Sequence, residues 1–131
     1  MIGIDTNVLL RYLIHDDVPQ GKRVDMLAER AAEAGKRLFI DDVVLCEAVW
    51  VLRSGYGLGR GLIAQVLDDL LETALFDFED RNLLRLALDD YRTGSASFAD
   101  YLIGLRNARA GCDHTMTFDR ALRRKPSFVL L

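Results

Sequence analysis

The sequence predicts an α/β protein built on a parallel sheet covered on both faces, and three observations carry that expectation. Short apolar runs of four or five residues alternate with helical patterns of ten or more, the signature of βα units whose strands are buried on both sides. Half of the 131 residues are hydrophobic and 28% are charged, enough apolar surface to offset the ordering entropy of a globular chain of this length. No Pro- or Ser-rich linker and no internal repeat interrupts the chain, whose prolines are Pro19 and Pro126, so a single domain over residues 1–131 is expected.

Residues 1–4 read as a short strand. Residues 6–14 follow with Val8, Leu9 and Leu13 in helical spacing and stop near Asp16-Asp17-Val18-Pro19. A second helix, residues 20–34, is closed by Gly35. Residues 37–40 form a second strand that leads into a helix over 42–53, and the βα pattern repeats. After a glycine-rich turn at 54–59 come a helix over 60–72, a third strand over 74–78 and a helix over 79–91. Thr93-Gly94-Ser95 is a break, and residues 98–110 form a helix ended by Gly111. Residues 114–118 read as a fourth strand, 120–124 as a turn or two of helix, and 127–131 as a fifth strand, which makes five strands in one mostly parallel sheet.

Composition excludes several function classes. The longest apolar runs fall far short of the roughly 20 residues that span a bilayer. The first residues show no basic region followed by a long apolar stretch, so a cytoplasmic location is expected. Cys46 and Cys112 belong to no CxxC pair and lie among apolar residues, which favours buried free thiols over a disulfide. The formal charge of −3 removes the simplest sign of nucleic-acid binding, a global basic excess, so charge distribution must decide instead. Arg outnumbers Lys fourteen to three, a weak pointer to phosphate recognition because Arg pairs with carboxylates equally well.

Parallel α/β sheets place their sites at the carboxyl ends of the strands, which turns a linear list of acids into a spatial expectation. Asp5 ends the first strand and Asp119 follows the fourth. Glu47, between Val43-Val44 and Val51, is expected to interrupt the apolar face of its helix and to need a partner there. Asp100 lies in the first turn of its helix, where backbone N–H groups favour anions. Each has a structural alternative: Asp5 and Asp119 as helix N-caps, Asp100 three residues after Ser97 in capping-box spacing, Glu47 paired with an Arg. Four acids at one expected edge, with no Lys beside any and only Arg120 adjacent to one, are hard to explain as independent caps.

Such carboxylates suit a hard divalent cation, Mg²⁺ or Mn²⁺, whose waters and a substrate phosphate would complete the shell for phosphodiester hydrolysis. Zinc is disfavoured because His15 and His114 stand alone. Two bound divalent ions would move the formal charge from −3 to +1, and Arg120, Arg123, Arg124 and Lys125 make a basic patch beside Asp119 usable for a phosphate backbone.

At these positions the chain resembles the PIN-domain family. Residues 4–13 (IDTNVLLRYL) resemble its opening motif, 45–52 (LCEAVWVL) its second, 98–103 (FADYLI) its third and 115–122 (TMTFDRAL) its fourth, in order and at spacings that cover almost the whole chain. The likeness is greatest to small VapC-type toxins of toxin–antitoxin pairs. The resemblance implies a three-layer α/β/α sandwich, a Mg²⁺- or Mn²⁺-dependent endoribonuclease, a homodimer, and an antitoxin protein that blocks the site. By position it makes Asp5, Glu47, Asp100 and Asp119 the metal-site acids, with Thr6, Asn7 and Thr117 as polar support. Ser97 and Ala121 stand where some members carry further acids, so the region around the fourth acid is less acidic here than in those members.

The leading expectation is therefore an RNA-cleaving toxin. The rivals are a PIN-fold RNA-processing nuclease, which shares the acids, and a non-catalytic PIN binding module, which would be expected to lack one of them. Haloacid-dehalogenase-like phosphatases require a second acid two residues after the first, where this chain has Asn7. The helices at 20–34 and 60–72, with Met26, Leu27, Leu62, Ile63, Val66, Leu67, Leu70 and Leu71, carry more apolar residues than one sheet face needs, which also predicts a homodimer. An antitoxin is expected to place an Arg or Lys among the four carboxylates.

Overall fold

A computed structural model describes residues 1–131, which fall into two compact units, Met1–Arg81 and Asn82–Leu131. In the first unit β1 (Ile2–Gly3), β2 (Leu38–Ile40) and β3 (Phe76–Phe78) form one parallel sheet in that order, with Ile2 opposite Leu38 and Leu38 opposite Phe76. Parallel neighbours need long crossovers, and helices supply them. Helices α1 (Thr6–Leu13) and α2 (Val18–Glu33) link β1 to β2; α3 (Asp42–Ser54) and α4 (Arg60–Glu72) link β2 to β3.

The helix starts are set locally. Asp5, Asp17 and Asp41 each accept a backbone N–H three residues ahead, from Val8, Gln20 and Val44, at 3.0, 3.1 and 2.8 Å. Pro19 sits in the first turn of α2, where a missing N–H costs nothing. At the other end Gly35, at φ 65°, supplies the left-handed residue that lets the chain turn from α2 into β2. Leu9, Leu10, Leu38, Ile40, Leu45, Leu52, Ile63, Leu67 and Phe76 are buried, each worth about 1.5–3 kcal/mol relative to exposure. Tyr12 packs edge-on against Phe76, with ring centroids 5.0 Å apart.

The second unit comprises most of α5 (Arg81–Thr93), then α6 (Phe98–Arg109), β4 (Thr115–Thr117), a 3-10 turn (Arg120–Leu122) and β5 (Phe128–Leu130). β4 and β5 pair in parallel, Thr115 opposite Phe128. Leu84, Ala87, Leu88 and Tyr91 form the buried stripe of α5, and Tyr91 meets Phe98 edge-on at 6.1 Å. Phe128 lies so close to α6 that a Cβ on Gly104 would stand 2.6 Å from its ring, so any larger residue there would have to displace the ring.

The α/β class and parallel pairing agree with the sequence. The single five-stranded sheet does not: the strands divide into a three-stranded sheet and a two-stranded pair. Ladders of two or three residues make few hydrogen bonds, and an apolar run reports that a strand is buried without reporting its partner. The sequence expectation also overextends every strand at one or both ends, by up to two residues. No helix is long and apolar enough to cross a membrane. The cysteines are free, as expected, but Cys112 is exposed and Cys46 only half-buried, so the expectation of two buried thiols is corrected.

Candidate metal and phosphodiester site

Asp5 follows directly from β1. Ile4 N–H still donates to Phe39 in sheet fashion (3.1 Å), and the next residue turns the chain into α1 by accepting the Val8 N–H on Oδ1. The Asp5 carboxylate is exposed and borders a hollow of about 260 Å³ whose other walls include Asn7, Arg11, Gln20 and Arg23. Arg11 is held in place: its Nε donates to Gln20 at 2.7 Å and its Nη1 to Asp16 at 3.2 Å, while the Tyr56 hydroxyl donates to the other Asp16 oxygen at 2.8 Å. Arg11, Gln20 and Arg23 escape sequence reasoning because they come from two helices, and nothing in their spacing marks them as neighbours of Asp5. Thr6, half-buried, opens α1.

Glu47 lies on α3, but not on its buried face. That face is Leu45, Ala48, Val49 and Leu52, whereas Glu47 is exposed, between Val43 (75% exposed) one turn before and Trp50 (67%) one turn after. The expectation of a carboxylate interrupting a core face is therefore corrected. The valines around Glu47 misled it, since α3 is apolar nearly all round and its sequence does not say which side is buried. No arginine is paired with Glu47.

In the second unit Asp100 is the third residue of α6, half-buried, in a reciprocal capping box. Ser97 Oγ accepts the Asp100 N–H at 3.1 Å and Asp100 Oδ2 accepts the Ser97 N–H at 3.3 Å. Asp119 is exposed and caps the 3-10 turn, its Oδ1 accepting the Ala121 N–H at 2.9 Å. Its own N–H donates to Thr117 Oγ1 at 3.0 Å, so the last residue of β4 fixes the loop that carries Asp119. Asn107 of α6 donates to Thr115 Oγ1 at 3.0 Å and ties that strand to the helix.

All three aspartates thus perform the capping duty that sequence alone leaves as an alternative. Capping does not exhaust them. A carboxylate has about four lone-pair sites, and each aspartate commits one oxygen to a backbone N–H while the other remains available. No three His, Cys, Asp or Glu side chains gather closely enough to hold a metal ion by themselves. A Mg²⁺-like ion does not require that, since it is held by one or two carboxylates and completes its octahedron with water and substrate phosphate. Hard oxygen donors, accessible and without paired cations, fit such an ion; His15 and His114 are both exposed and supply no zinc set.

The family model of the PIN domain matches residues 2–127, a span that contains all four acids. A VapC ribonuclease of Aquifex aeolicus (strain VF5) is 26% identical over 121 residues, covering 92% of this chain and 89% of the relative.

Proposed function

The chain belongs to the PIN-domain family, and from that premise we propose that it is a Mg²⁺- or Mn²⁺-dependent endoribonuclease acting as the toxin of a toxin–antitoxin pair. One observation carries the reading: the match runs through Asp5, Glu47, Asp100 and Asp119, and every one of those carboxylates keeps at least one oxygen uncommitted. The similarity to a VapC ribonuclease supports RNA as substrate and an antitoxin as partner.

In this reading the carboxylates that hold the divalent ion are drawn from Asp5, Glu47, Asp100 and Asp119, with water and the substrate phosphate completing its shell. When bound, such an ion neutralises phosphate charge and lowers the pKa of a coordinated water toward neutrality. The chain's own contribution is preorganisation. Backbone N–H groups pin one oxygen of each aspartate, so the carboxylates do not reorient when substrate arrives. Thr117 holds the backbone of Asp119, Asn7 provides a polar wall beside Asp5, and Thr6 opens the helix that Asp5 caps. A basic side chain of the antitoxin would inhibit by occupying the same oxygens.

The apolar surface that supports a homodimer is smaller than sequence suggests. Ile63, Leu67, Leu70 and Leu71 are buried and Leu27 and Val66 half-buried, which leaves Met26 and Leu62 exposed, to which the structure adds Val43 and Trp50. Sedimentation at micromolar concentration tests it, and a monomer alone would count against a dimer.

The activity is tested by incubating the protein with total RNA in Mg²⁺ or Mn²⁺, with and without EDTA. Cleavage is expected to vanish in chelator and to return with either ion but not with Zn²⁺. Undiminished cutting in EDTA would overturn the mechanism, and restriction to one precursor RNA would favour an RNA-processing nuclease over a toxin.

A further inference from the structure

The second unit carries a hollow of about 640 Å³ to which none of the four acids contributes a wall. It is bounded by the Gly94-Ser95 turn after α5, by Tyr101 of α6, and by Arg120, Arg123, Arg124 and Lys125 on and after the 3-10 turn. Lys125 is neutralised, its Nζ lying 2.6 Å from Asp90 Oδ1. The three arginines are exposed and have no acidic partner. A three-residue turn has almost no helix dipole to offset them, and the carboxylate that also lines the hollow, Asp90, is committed to Lys125, so three like charges stand together around one concavity with no acidic partner of their own.

A second feature of the hollow is a buried hydroxyl. Tyr101 is only 4% exposed, yet its hydroxyl reaches the wall, where it accepts the Ala96 N–H at 3.2 Å. That bond orients the oxygen and leaves the O–H proton for a further partner. A Cβ at position 94 would overlap the hydroxyl, so Gly94 is what allows Tyr101 to stand there. Uncommitted guanidinium forks together with an oriented hydroxyl donor are the chemistry that recognises a phosphate, and the volume exceeds what a single inorganic phosphate fills.

The hollow also has a definite place relative to the acids of its unit. Tyr101 directly follows Asp100, and Arg120 directly follows Asp119. We propose that this hollow seats a backbone phosphate of single-stranded RNA next to the one that is cleaved, with Arg120, Arg123 and Arg124 as its cationic wall and the Tyr101 hydroxyl as a positioning donor. This rests on the RNA-cleaving reading above and adds to it the groups that set the register of the strand.

The test measures binding and cleavage separately. The full-length protein is titrated in EDTA, where it cannot cut, against a fluorescein-labelled 12-nucleotide RNA, with anisotropy as the readout. Arg120→Ala, Arg123→Ala and Arg124→Ala should each weaken binding about 3- to 10-fold. Each phosphate left without its arginine should make the slope of log K against log salt shallower by about 0.7. Arg53→Ala, an exposed arginine of α3 that does not line the hollow, should bind like the parent and controls for charge alone. Tyr101→Phe should weaken binding while its circular dichroism stays that of the parent. If Tyr101→Phe unfolds, the three arginine variants, all exposed, still decide the matter.

Arginine variants that bind as tightly as the parent while EDTA-sensitive cleavage persists would overturn the hollow and leave the endoribonuclease reading standing. Weakened RNA binding in a protein that never cuts would leave the hollow standing as an RNA site and sink the nuclease. Full displacement of the RNA by millimolar inorganic phosphate would mark a small-anion site and overturn the RNA assignment.

Discussion

In the first unit Arg11 is tied to Asp16 and Gln20, and Arg81 donates to the carbonyls of Leu71 and Phe76 while lying 4.9 Å from the Phe78 ring centroid. In the second unit Arg120, Arg123 and Arg124 surround a hollow with no carboxylate committed to them. The same side chain therefore serves architecture in one place and stands free for a ligand in the other. The acids divide likewise, since Asp5, Asp100 and Asp119 cap helices or turns whereas Glu47 satisfies no backbone group. Stability and function should then be separable by choosing which arginine and which acid to change.

The largest effect belongs to Glu47. Glu47→Gln should lower RNA cleavage by about 100-fold or more, at or beyond the cost of losing a supporting group at a metal site. Its thermal unfolding should match the parent within the roughly 0.5 kcal/mol usual for surface changes. An active Glu47→Gln enzyme would remove that residue from the site and undo the contrast with the aspartates.

Next in size is the contrast between arginines. Arg81→Ala strips two carbonyls of their donor and should destabilise by about 1–3 kcal/mol in denaturant titration. Arg123→Ala should change stability by less than about 0.5 kcal/mol. Equal losses would show that the second unit's arginines are structural after all.

A smaller and more discriminating effect is expected at Asp5, the N-cap residue itself. Asp100 is less suited, because its carboxylate caps from the third helical position. Asp5→Asn keeps an acceptor for the Val8 N–H and should hold its melting temperature, whereas Asp5→Ala should cost about 1 kcal/mol. Both should lose cleavage, and the melting-temperature rise given by Mg²⁺ or Mn²⁺ should shrink in both. If Asp5→Asn cuts like the parent and keeps that rise, Asp5 is a cap and nothing more.

The smallest effect concerns the cysteines. Burial, reinforced by the Asp42 carboxylate, pushes the Cys46 thiol up to about 11 from an ordinary 9.0. The folded state thus holds this proton more tightly than the unfolded chain, so stability declines as pH climbs from about 9 to about 11. At pH 8 a thiol reagent should label exposed Cys112 well before Cys46, as peptide mass spectrometry would show; comparable rates would contradict the burial of Cys46.

Much of this molecule is legible one helix at a time. The fourth helix is expected over 60–72 and found as Arg60–Glu72, and the Ser97 to Asp100 spacing announces the capping box that forms there. The face of α3 is not legible. Val43, Val44, Val51 and Trp50 make it apolar on several sides, and only packing selects Leu45, Ala48, Val49 and Leu52 for burial, leaving Glu47 outside.

What the sequence determined by itself is the alternation of strands and helices and the acids at their junctions. Helical periodicity and capping act between residues three or four apart, so their signals lie within one short window. Tertiary structure alone decided how the strands divide between two sheets, which face of α3 is open, and which side chains meet around the two hollows. The bond from Tyr56 to Asp16 joins residues 40 apart and that from Lys125 to Asp90 residues 35 apart. Such pairs are chosen by where the apolar faces of whole elements bury one another, a property of the packed chain that no local window contains.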